Sequence, residues 1–288
     1  MIFLEQLING LVIGSLYGLA GLGLTAIFGL MKLVNIVHGE FFMYCAIITA
    51  YLVATPLNLN YFIALILSAL VIFEVGIIVE KLTLKQLRGQ AMITTTLCTL
   101  GLSMIFKQVA LIITKGVPQF IQVPDFFRGN IFIWGISIGR MRLFALTAAI
   151  FIVFAIHFYL QKTRYGKSLR AAFQNRKAAA LVGINIDRVY AITYGSGAFL
   201  AAIAGGLLGT IFIVDPMMGS RGLLKAFVVV IIGGMGSFPG ALIGGLLLGV
   251  TEVWAISIGF SAYRDFFGFA MVILFLIFRP TGLFGGKV

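Results

Sequence analysis

Long apolar runs recur along nearly the whole chain, separated by short polar connections, and nothing else constrains its fold as tightly. They fall at residues 7–30, 40–54, 61–79, 91–114, 143–160, 190–214, 223–235, 241–260 and 263–278. About 20 apolar residues are needed to cross a hydrocarbon core ~30 Å thick at 1.5 Å of rise per residue. The run ending at Met235 is short, so eight or nine spans are expected. Lipid offers the backbone no hydrogen-bond partner, which leaves helices or closed barrels. Barrel strands alternate apolar and polar residues, whereas these runs are continuous. The expectation is an all-α, polytopic membrane bundle with residues 1–288 as one domain.

Composition agrees. Of 288 residues, 61% are hydrophobic and 10% charged, against about 45–50% and 25% in soluble domains. A soluble globule, a disordered chain and a nucleic-acid binder are all excluded. The 35 glycines exceed the ~20 that an average share would give. Many recur every fourth position: Gly10, Gly14 and Gly18; Gly197, Ala201, Gly205 and Gly209; Gly240 and Gly244; Gly245 and Gly249. Such spacing lines one helix face with small residues and permits close crossings in lipid. Residues 1–5 lack the basic start of a removable signal, so the first run is expected to remain as a span.

The net charge is +12. With nine spans and the N-terminus outside, thirteen of the 21 Lys and Arg residues fall in inside loops. That bias makes residues 161–188 cytoplasmic. This loop holds seven basic residues and one acid, Asp187. Residues 168–182 read as one helix, with Ser168 as N-cap, Gly183 just past its end and Asp187 capping the next span. Leu169, Ala172, Phe173, Ala180 and Leu181 form its apolar face, and Arg170, Arg176 and Lys177 its polar one. Either a soluble partner or anionic headgroups would suit such a helix.

Chemistry-bearing residues are few. Two histidines, nine acids and the isolated Cys45 and Cys98 make no catalytic, cofactor or metal set. Gly166-Lys167-Ser168 imitates a phosphate loop, but Gln161 stands where its first glycine belongs. Two segments look interrupted: one around Asn35, His38 and Glu40, the other at Ser237, Pro239 and Gly240. Broken segments often line a transport path, while ordinary interfacial loops have the same composition. Glu252 lies deep enough to require a donor within the bundle. Arg264 and Asp265 are expected to pair at the outer surface.

Four ordered blocks resemble the permease subunits of branched-chain amino acid ABC importers, nearer the LivH type than the longer LivM type. They are residues 9–17 (NGLVIGSLY), 35–43 (NIVHGEFFM), 178–188 (AAALVGINIDR) and 233–241 (GGMGSFPGA), and the 279–284 tail fits as well. The family often has acids where Asn175 and Lys177 stand, and a glycine where Cys45 stands. The resemblance implies an alternating-access permease for leucine, isoleucine or valine, or for urea or short amides. It also implies a second homologous permease chain, two cytoplasmic ATPase subunits and an extracytoplasmic binding protein. ATP would sit on the partner subunits, and this chain would carry no cofactor. Residues 161–188 become a coupling loop, with Arg170, Phe173, Arg176, Lys177, Ala179, Leu181 and Gly183 as its ATPase contacts. Without the resemblance, an ion-gradient-driven transporter titrating Glu40 or Glu252 would also fit the composition.

Overall fold

A computed structural model describes residues 2–55, 57–133, 136–279 and 281–284. Eleven helices occur among these residues: α1 (Ile2–Met31), α2 (His38–Ala54), α3 (Tyr61–Val79), α4 (Met92–Thr114), α5 (Arg140–Lys162), α6 (Arg164–Gln174), α7 (Arg176–Leu181), α8 (Ile186–Leu208), α9 (Met218–Gly233), α10 (Phe238–Ser257) and α11 (Arg264–Phe278). Six are long and apolar enough to cross a membrane. Helices α2, α9 and α11 are shorter, at 17, 16 and 15 residues.

Short polar side chains start several of these helices. Asn60, Thr163, Asn175, Asn185 and Ser237 each accept a hydrogen bond from a backbone N–H in the first turn of α3, α6, α7, α8 and α10. Such caps satisfy donors that a helix leaves unpaired.

Helices α1 and α8 form the centre, while α4 and α5 lie at the periphery. The glycine faces explain how the centre closes. A Cβ added at Gly14 would stand 2.6 Å from the Gly245 carbonyl oxygen, and one at Gly10 would stand 2.7 Å from Val250 Cα. Helices α1 and α10 therefore touch backbone to backbone. Likewise a Cβ at Gly197 would lie 2.8 Å from the Gly23 carbonyl oxygen, joining α8 to α1. Close approach of this kind replaces the hydrophobic drive that lipid removes.

Two sequence expectations change, and one short element is new. The span expected at 190–214 is offset toward the N-terminus: α8 starts at Ile186 and ends at Leu208, and Val214 turns back to pair with Gln119. Residues 168–182 form parts of two helices, because Asn175 is extended and caps α7, while Thr163 rather than Ser168 caps α6. A β-hairpin, β1 (Asn130–Ile133) with β2 (Ile136–Gly139), interrupts the α4–α5 connection.

Candidate functional site

Helices α6 and α7 bridge α5 and α8 at the end of the bundle where α1 terminates. Leu169 and Ala172 are buried, and the Phe173 ring lies against Gly29 of α1, where an added Cβ would stand 3.3 Å from it. Phe173 thus packs on its own bundle. Ala179 is also buried, whereas Leu181 is 88% exposed and Val182 76%. The outward apolar surface of this loop lies at Leu181 and Val182, at the end of α7, while Phe173 is half-buried. Gly183 has φ +84°. The Gly183 N–H donates to Ala180 O and the Ile184 N–H to Ala179 O, the Schellman arrangement that a glycine permits.

Three charges of this loop, Arg170, Arg176 and Asp187, are tied to the bundle. Arg170 donates to the Leu160 carbonyl. Arg176 donates to the Leu30 carbonyl at 2.9 Å, next to the end of α1, and its guanidinium stands 5.2 Å from the Tyr190 ring centre. Arg88 stands 4.2 Å from that ring centre and pairs with buried Glu80 and with Asp187. Lys85 also pairs with Asp187, at 2.7 Å. Asp187 therefore ties α8 to the α3–α4 connection, and Asn185 takes the capping role expected of it. Lys177 is exposed.

At the first interrupted segment, α1 ends at Met31 and α2 begins only at His38. The His38 Nε2 hydrogen-bonds the Ala20 carbonyl at 2.9 Å. Ala20 is 11 residues inside α1, or about 16 Å at helical rise, so the chain folds back into the bundle before α2 starts. Asn35, His38 and Glu40 are all buried rather than at an outer boundary. The Tyr194 hydroxyl donates to Asn35 Oδ1 at 2.9 Å, and the Ser103 hydroxyl to Glu40 Oε1 at 2.9 Å. Asn35 Nδ2, His38 Nδ1 and Glu40 Oε2 have no hydrogen-bond partner among the described residues.

At the second interrupted segment, Ser237 Oγ accepts from the Gly240 N–H at 3.1 Å, and Pro239 sits in the first turn of α10. A Cβ at Gly244 would stand 2.8 Å from the Val229 carbonyl oxygen, so α9 and α10 fold back on each other. Pro239 starts a helix here; it does not divide one.

The structure also assembles a charged cluster that the sequence announces only in part. Glu252 does find its donor, Lys225 of α9, a residue that an apolar run conceals. Lys225 also bonds Asp265 at 2.6 Å. Arg264 lies 3.1 Å from the Tyr17 hydroxyl, 3.6 Å from Glu252 and 3.7 Å from Asp265. Arg264 and Asp265 do pair locally. They do so beside Tyr17, halfway along α1, with Asp265 largely exposed. Asp215 and Arg221 form a further pair. All these residues except Glu252 line one cavity of about 680 Å³, whose other walls include Phe42, Phe212, Val228 and Phe269.

Comparison with known proteins agrees with this arrangement. A family model described as "Branched-chain amino acid transport system / permease component" matches residues 6–276. The chain is 33% identical to the high-affinity branched-chain amino acid transport system permease protein BraD of Pseudomonas aeruginosa, over 98% of this chain and 96% of that one. It is 31% identical to LivH of Escherichia coli K12, with the same coverage. Among solved structures, PsaBC from Streptococcus pneumoniae superposes with a TM-score of 0.51 at 13% identity, covering 99% of this chain and 94% of that one, a likeness of fold. With the family model spanning residues 6–276 and 33% identity to BraD over nearly the full length of both chains, the chain belongs to the branched-chain amino acid transport permease family.

Proposed function

We propose that this chain is a transmembrane subunit of an ATP-driven importer for leucine, isoleucine and valine. The reading is carried by its 33% identity to BraD over nearly the full length of both chains. A second homologous permease chain, two cytoplasmic ATPase subunits and an extracytoplasmic binding protein complete the assembly, and ATP is bound on the ATPase chains. Residues 161–188 are the coupling loop. Leu181 and Val182 present apolar side chains outward, suited to a shallow groove on an ATPase. Arg176 holds the end of α1 through the Leu30 carbonyl, so displacement of α7 reaches α1 and the folded-back segment that follows it. Alternating access follows when this pull reopens the bundle toward the other side.

The test is uptake of radiolabelled L-leucine into proteoliposomes that hold the permease pair and ATPases and are supplied with binding protein. Accumulation that requires enclosed ATP, and survives collapse of the proton gradient, supports the reading. Uptake that follows the proton gradient without ATP, or uptake of urea but not leucine, overturns it.

A further inference from the structure

We propose that the charge-lined cavity between α1, α9 and α11 is a binding site for a zwitterionic amino acid in transit. Lys225, Arg264 and Asp265, which line it, would exchange internal ion pairs, including those with Glu252 behind them, for pairs with the solute's carboxylate and ammonium. This deepens the importer reading and rests on it.

Three observations carry the inference. Lys225, Arg264 and Arg221 supply three positive charges, and Glu252, Asp265 and Asp215 three negative ones, all paired with one another. The site is thus formally neutral yet strongly dipolar. A solute with one carboxylate and one ammonium can enter such a lattice of ion pairs and leave no charge uncompensated. A simple cation or anion cannot, which in a membrane interior is costly. Second, the groups are not closed off: the Asp265 and Arg221 side chains are each 62% exposed and Arg264 is 34% exposed. Ionised groups beside the middle of α1 do not face lipid, so this face meets water or protein. Third, the volume of about 680 Å³ falls within the ~300–1,000 Å³ range of small-molecule sites. Phe42, Phe212, Val228 and Phe269 give an aliphatic side chain an apolar wall beside the charges. Phe42 also links the cavity to α2, two residues beyond Glu40.

The experiment uses the reconstituted assembly with Asp265→Asn, and with Lys225→Met combined with Glu252→Gln. Asp265→Asn is nearly isosteric and the double change removes a whole pair, so neither strands a buried charge. L-Leucine uptake per ATP hydrolysed should fall about tenfold in each, while the ATPase subunits co-purify with each variant as they do with the parent. A second measurement places a thiol in the cavity wall: Leu224→Cys should react with a charged, water-soluble methanethiosulfonate, and leucine-loaded binding protein should slow that reaction. Unchanged uptake per ATP in both variants, or a Leu224→Cys thiol inert to the charged reagent, overturns the site while leaving the importer reading intact. Failure of the parent assembly to take up leucine overturns the importer reading first and the site with it.

Discussion

At Gly205 a single methyl group would collide with the carbonyl oxygen of Phe42, with no flexible side chain to give way. Gly205→Ala should therefore destabilise the α2–α8 crossing by about 1–3 kcal/mol, read as a lower thermal midpoint of the detergent-solubilised permease. Gly101 on α4 has nothing within 4 Å of an added Cβ, and Gly101→Ala should leave the midpoint unchanged or raise it. The same distinction between a packed and a solitary group governs Lys225. Lys225→Met alone leaves buried Glu252 with only the longer Arg264 contact at 3.6 Å and should cost about 1–3 kcal/mol. Adding Glu252→Gln should restore most of the loss, and a double-mutant cycle on thermal midpoints measures the coupling. At Gly183 the φ of +84° resists any side chain, so Gly183→Ala should cost about 1 kcal/mol and weaken the turn from α7 into α8. Co-purification of ATPase with that variant checks whether the turn orients the docking surface.

Among elements, α6 and α7 show best what the sequence could and could not convey. Polarity, charge and Gly183 were legible from residues 161–188 because they depend on local chemistry. Which apolar residues face outward was not legible, because Asn175 resets the helical phase between α6 and α7 and turns Phe173 inward. Leu181→Asp with Val182→Asp should abolish ATPase co-purification and leave the permease's thermal midpoint intact. Phe173→Ala should lower the midpoint by removing packing against Gly29 and leave part of the ATPase bound. The reverse pattern would assign docking to Phe173. Span positions were legible for the same local reason, and α3 lies at residues 61–79 as read. The extent of α8 was not, since apolar residues beyond Leu208 continue in a turn stabilised by distant Gln119. Likewise Glu252 announces its need for a donor, but only the meeting of α9, α10 and α11 supplies Lys225.

Over the whole molecule, burial is distributed unevenly. The most apolar stretches of α1 and α8 are 83% buried, and those of α4 and α5 only 17%. Backbone amides of α1 and α8 should accordingly exchange with deuterium slowest in the isolated chain, and those of α4 and α5 faster. Uniform protection across all four would show that the periphery is held as firmly as the centre. The seam of α1 and α10 has a consequence for motion. Where Gly10, Gly14, Gly245 and Gly249 bring two backbones together, no rotamer can change to accommodate a shift, and sliding one helix past the other would drive carbonyl oxygens into Cα atoms. The two helices move as a single stave. Any opening and closing of the permease must pivot around it, at joints cushioned by side chains.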